Sequence, residues 1–203
     1  FAVNTVNAEH VISSEFKAAG NNIYLIKHSI DDSFMPDIQE IKKNYDYIHK
    51  NILEGNIISA MALKQGGIGE AAAKMCFGNK IGAEINIEEE EFFRLNYGAI
   101  IVESETELEN KNAVLIGKTI SSEEMRVNGE VIELSELIEN WESVLEMIFP
   151  SKLHIKTESL KEFPVKNNIF KAGTAAKIKH AKPRAGILVF PGNNCEYDTV
   201  KVF

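Results

Sequence analysis

The 203-residue chain has little from which to build a metal or redox centre. Its two cysteines, Cys76 and Cys195, stand far apart and outside any CxxC or Cys/His cluster, which argues against a disulfide framework or a zinc site. The five histidines, His10, His28, His49, His154 and His180, are scattered singly. They read as surface or core imidazoles, and no metal ligand set is expected. No apolar run approaches the roughly 20 residues that a membrane-spanning helix needs. The N-terminus also lacks the basic, apolar, small-residue order of a signal peptide. No membrane partner is expected, and the expected location is cytoplasmic. The first residue is Phe1 rather than Met, so an upstream part is expected to be missing.

What is present is unevenly distributed. The formal net charge is -8, yet residues 1–150 carry 12 Lys/Arg against 26 Asp/Glu, whereas residues 151–184 carry 9 against 2. The order is an acidic domain, then a basic strap. A basic strap can signal nucleic acid, but Arg184 is its single arginine, and a linker lying along an acidic surface needs no motif. The linker reading is preferred, and no nucleic-acid partner is expected.

Residues 1–150 alternate strand and helix signals. NIYLIK at 22–27 and Ile57 to Leu63 read as strands, as do Ala83 to Ile87, Gly98 to Glu103 and Ala113 to Ile120. Ile38, Ile41, Tyr45, Ile48 and Leu53 predict a helix within 36–54, and a small-residue helix is expected over 68–77. Asn128-Gly129 predicts a hairpin of the type I′ class. SELIENWESVLEMIF predicts a helix over 135–149 with Ser135 as its N-cap and Pro150 as its stop. The class is α/β, or α+β with a mixed sheet and flanking helices. Residues 151–184 are interrupted by Pro164, Gly173 and Pro183 and are expected to be a connector. GILVF at 186–190 then reads as a new strand, followed by Pro191-Gly192 and a helix opening at Asp198. That is how a doubly wound domain begins.

The stretch with most chemical content is ISAMALKQGGIGEAAAKMCFGNKIGAEI, Ile58 to Ile85. Glycines between a buried strand and a helix allow amides at the helix N-terminus to face a phosphate or carboxylate. Lys64, Gln65, Gly66 and Gly67 are the candidate anion-binding residues. The same pattern also serves to pack helix on sheet. It is neither a P-loop nor GxGxxG.

Together with SEFKAAGNNIYLI, this stretch resembles the C-terminal domain of the aminoimidazole ribonucleotide synthetase superfamily, most closely the second such domain of the phosphoribosylformylglycinamidine synthases. LVFPGNNCEYDT resembles the opening strand and loop of the glutamine amidotransferase domain, which follows in the large, single-chain form of those enzymes. The resemblance implies an internal fragment with three parts: residues 1–150 the synthetase-like domain, 151–184 the basic linker, and 185–203 the truncated start of a flavodoxin-like amidotransferase domain. It implies a parent ligase of purine biosynthesis that uses ATP, Mg²⁺, glutamine and a phosphorylated small-molecule substrate, with upstream and downstream domains as partners. Gly192, Asn193 and Asn194, after Pro191, become candidates for the glutamine-pocket loop. No catalytic residue is expected in this chain. Cys195 has no His placed to activate it and is expected to be inert, and Cys76 is expected in the core. Superfamily members typically show His-Asp after the strand and Asp before the paired glycines. Here Met61-Ala62 and Gln65 stand instead, which implies a degenerate half of a duplicated pair. A free-standing α/β anion-binding or interaction domain is the alternative. A selenophosphate synthetase or thiamine-phosphate kinase relative is argued against by the tail.

Overall fold

Asn22 to Ile26 alternates its side chains between two apolar surfaces, as the period of two requires. In a computed structural model of the chain, which describes residues 5–150 and 186–202 except 32 and 34, this strand (β1) has neighbours on both sides. Ile23 and Leu25 enter one core cluster, and Tyr24 and Ile26 enter another. The chain divides into two units, Phe1–Leu153 and His154–Phe203.

In the first unit β1 is followed by helix α1 (Ile38–Leu53), β2 (Ile57–Ala62), α2 (Gly67–Phe77), β3 (Gly82–Ile85) and a single turn, α3 (Glu89–Phe92). Then come β4 (Ile100–Ser104), β5 (Ala113–Ile120), β6 (Glu124–Val127), β7 (Glu130–Glu133) and α4 (Leu134–Ser143). The seven strands form one sheet in the order β2-β4-β1-β5-β3-β6-β7. β3 and β6 run parallel, and the other neighbouring pairs are antiparallel. The sheet is mixed, as the sequence reading expects.

Each helix lies where its apolar stripe sends it. Ile48, with Ile52 beside it, packs with Tyr24, Ile26, Ile57 and Val102 on one face of the sheet. On the other face α2 contributes Ile68, Ala71, Ala72, Met75 and Cys76, and α4 contributes Leu134. The alanines keep α2 thin, so its axis can lie close to the strands. Asp37 caps α1, its Oδ1 accepting from the N–H of Gln39 (2.9 Å) and of Glu40 (3.0 Å). Asn128 and Gly129 adopt φ of +51° and +92° between β6 and β7, the left-handed pair that a type I′ hairpin requires.

Four expectations are corrected. The helix predicted over 135–149 runs only from Leu134 to Ser143, and Glu133, without a side-chain bond, takes the N-cap position given to Ser135. Beyond Ser143 the backbone tightens into i to i+3 bonds, from Leu145 N–H to Glu142 and from Glu146 N–H to Ser143. Val144, Leu145, Ile148 and Phe149 are exposed there, so the helical spacing continues without a surface to pack on among the described residues. In the second unit residues 186–190 form no strand. Leu188, Val189 and Phe190 are exposed, and a strand requires a neighbour to take its N–H and C=O groups. Helix α5 (Glu196–Val202) opens two residues ahead of the expected Asp198. The strap at 151–184 lies outside the described residues. Among the described residues no helix is long and apolar enough to cross a membrane.

Candidate functional site

The turn from β2 to α2 brings the four singled-out residues together. Leu63 is buried and its N–H donates to Ala99 O at 3.0 Å, while Lys64 and Gln65 are exposed. Gly67 N–H donates to Lys64 O at 3.1 Å and closes the turn, and Glu70 N–H donates to Gly66 O at 3.1 Å and opens the helix. Gly67 has φ +61°, and a β-carbon there would stand 2.9 Å from Phe92 O and 3.0 Å from Arg94 O. Glycine is therefore required twice over, by the left-handed backbone and by the chain that crosses it.

The charge at this helix start comes from within the chain. Gly66 N–H, an amide expected to face an anion, donates to Glu70 Oε2 at 2.9 Å. Glu70 Oε1 accepts from Lys74 Nζ at 2.6 Å. Lys74 first, and the Gly66 amide second, hold the Glu70 carboxyl below its usual range. A carboxylate is favoured at a helix N-terminus, and Glu70 fills that role. An incoming anion would have to compete with it for the Gly66 amide.

Sequence reasoning missed Glu70 and the 92–94 backbone. The Glu70-Lys74 spacing of four was a readable signal; the crossing segment left none, because only the fold brings it to Gly67. Where the superfamily pattern places His-Asp, Met61 packs against the core and Ala62 is exposed. Cys76 is fully buried, and burial pushes its thiol up to about 12. It is an unreactive core residue, as expected.

Gly192, Asn193 and Asn194 lie in the other unit, on one exposed turn. Gly192 takes φ +91°. Asn193 N–H donates to Phe190 O (3.0 Å), its Nδ2 donates to Leu188 O (3.2 Å), and Asn194 Oδ1 accepts from Cys195 N–H (2.9 Å). Cys195 is exposed and unpaired by disulfide.

No family model matches the chain. The phosphoribosylformylglycinamidine synthase subunit PurL of Limosilactobacillus reuteri is 29% identical over 177 residues, covering 72% of this chain and 24% of that protein. The chain thus spans about a quarter of the length of that relative. Among solved structures, Thermotoga maritima PurL complexed with FGAR aligns with a TM-score of 0.54 at 14% identity, over 64% of this chain and 30% of that one. The structure of PurLQS from Thermotoga maritima gives 0.56 at 14% identity, over 64% and 28%. The fold is the one found in PurL, that of the aminoimidazole ribonucleotide synthetases.

Proposed function

We propose that this chain is a segment of a phosphoribosylformylglycinamidine synthase of the large, single-chain type. It would comprise the second synthetase-like C-terminal domain, a linker and the start of a glutamine amidotransferase domain. The observation that carries the reading is the 29% identity to a PurL subunit across 72% of the chain. The PurL-like fold supports it, and the LVFPGNNCEYDT tail supports the amidotransferase part.

In such an enzyme ATP with Mg²⁺ converts the amide oxygen of formylglycinamide ribonucleotide into a leaving group, and ammonia from glutamine then yields the amidine. The described residues of this chain do not fit the Mg²⁺ of that group. Met61, Ala62 and Gln65 supply no carboxylate at the expected positions, and among the described residues no three His, Cys, Asp or Glu side chains are placed to hold a metal ion. The role of the segment is to complete the core of the paired domains, with the chemistry supplied by neighbouring parts in a cytoplasmic enzyme. The alternative, a free-standing anion-binding domain at Lys64 to Gly67, needs an anion that displaces Glu70.

Two measurements test this. The adjoining coding sequence should encode an ATP-binding synthase domain upstream and an amidotransferase nucleophile elbow downstream; unrelated flanks would overturn the assignment. The purified chain should release no ammonia from glutamine, and glutaminase activity lost on Cys195→Ala would show that the exposed thiol is a nucleophile after all.

A further inference from the structure

Residues 134–149 carry one continuous helical stripe, and the fold uses only its first half. Leu134, Leu137 and Ile138 lie on the core. Trp141, Val144, Leu145, Ile148 and Phe149 continue the spacing of three and four residues, yet each is more than half exposed, as is Met147. Trp141, Val144, Leu145 and Phe149 line a groove of about 380 Å³ together with Glu142. Apolar residues scattered singly on a surface need no explanation, but a contiguous patch marks a binding face.

The charge beside the groove selects what covers it. Every charged residue of 134–149 is a glutamate: Glu136, Glu139, Glu142 and Glu146. At 3.6 residues per turn the four fall in one arc of about 120°, which adjoins the apolar stripe at Glu142. Glu136, Glu139 and Glu142 have no ion-pair partner among the described residues. A second copy of the chain would bring this flank against a surface that carries 26 Asp/Glu to 12 Lys/Arg over residues 1–150, so self-association sets like charge on like charge. Residues 151–184 are basic but hold no apolar periodicity and are interrupted by Pro164, Gly173 and Pro183. They do not supply a matching amphipathic helix.

We propose that the groove at Trp141 to Phe149 docks a basic amphipathic helix of a protein partner from outside residues 1–203. Leucine or aromatic side chains of that helix fill the groove, and a Lys or Arg flank meets Glu139 and Glu142. The apolar contact supplies the affinity, while the charges fix the register and exclude acidic partners. Such a partner accounts for helical spacing that runs on past Ser143, where α4 ends, because it brings the surface that the described residues lack. The site is independent of the glycine turn and of the synthase assignment.

Trp141 is the single tryptophan, so its fluorescence reports on the groove in the whole 203-residue chain. The probe is a synthetic helix of about 18 residues with leucine and lysine at amphipathic spacing, compared with the same helix carrying glutamate for lysine. The lysine helix should shift Trp141 emission to the blue and saturate at roughly micromolar concentration, and the glutamate helix should bind about tenfold more weakly or less. Val144→Ser with Leu145→Ser should weaken binding about tenfold. Glu139→Gln with Glu142→Gln should weaken it severalfold and flatten its salt dependence. Glu105→Gln with Glu107→Gln, the same charge change at exposed carboxylates elsewhere, should leave it unchanged. No blue shift, equal binding of the two helices, indifference to the Val144 and Leu145 changes, or equal weakening by the Glu105 and Glu107 changes would overturn the proposal. So would a dimer in sedimentation that Leu145→Ser dissolves, since the face would then belong to a second copy. The same blue shift with phosphatidylcholine vesicles, which offer an apolar surface without a basic flank, would overturn it as well.

Discussion

Gly67 and Gly129 share a positive φ and differ in what surrounds them. A β-carbon on Gly67 would press on the backbone of 92–94, whereas one on Gly129 meets nothing within 4 Å. Gly67→Val combines left-handed strain with overpacking and should cost about 3 kcal/mol or more, while Gly129→Ala should cost about 1 kcal/mol. Urea unfolding of the two variants measures the difference. Glu103 is a second residue that the surrounding backbone needs. It is fully buried, with Oε2 accepting from Lys17 N–H (2.8 Å) and Oε1 from Ala18 N–H (3.2 Å) and Asn21 Nδ2 (2.7 Å). Glu103→Leu strips three donors of their acceptor and should cost roughly 3 kcal/mol. Glu103→Gln keeps one carbonyl oxygen and should cost less in the same measurement.

At the scale of elements, α1 is anchored to the end of β1 through Glu40. The Ser29 backbone N–H, first among several donors, lowers the Glu40 carboxyl from 4.5 to about 2. A carboxyl depressed in the folded state adds stability above its unfolded pKa and loses it as pH falls toward the folded one. The anchor should therefore act fully at neutral pH, weaken below about 4.5 and vanish near 2. Glu40→Gln should be less stable than the parent at pH 7, with the gap closing as acid is added. Circular dichroism across that range checks it, and a gap independent of pH would show that Glu40 acts only by its shape. α4 behaves differently. Its first half is held by Leu134, Leu137 and Ile138 on the core and by Trp141, whose ring centroid lies 5.7 Å from that of Phe77. Its expected second half finds no such surface among the described residues, and the element stops where burial stops.

For the whole molecule, the expected domain end near Pro150 is a matter for proteolysis. Limited digestion should cut within 151–182 and leave a folded unit comprising residues 1–150. Loss of its secondary structure on cleavage would show that the strap belongs to the core. Charge asymmetry is the reason to expect a separate strap, since the basic segment brings no apolar periodicity with which to build a core of its own.

The sequence by itself determined the elements whose signals are local. β1, α1, β2, α2, β5 and the Asn128-Gly129 hairpin all stand within a residue or two of their expected bounds, because a period of two or 3.6, an N-capping aspartate and a left-handed glycine act over a few neighbouring residues. It also showed the Lys64 to Gly67 turn, and it held the four-residue Glu70-Lys74 spacing that the sequence reading passed over. Only the tertiary structure decided what lies against them. The strand order, the parallel pair β3-β6, the 92–94 backbone across Gly67 and the buried oxygen of Asn96 depend on segments distant in sequence, and no local pattern encodes a contact made after folding. The same dependence explains the two shortfalls. Helical spacing at 144–149 and apolar composition at 186–190 supply one half of a packing contact, and regular structure forms only where the fold supplies the other half.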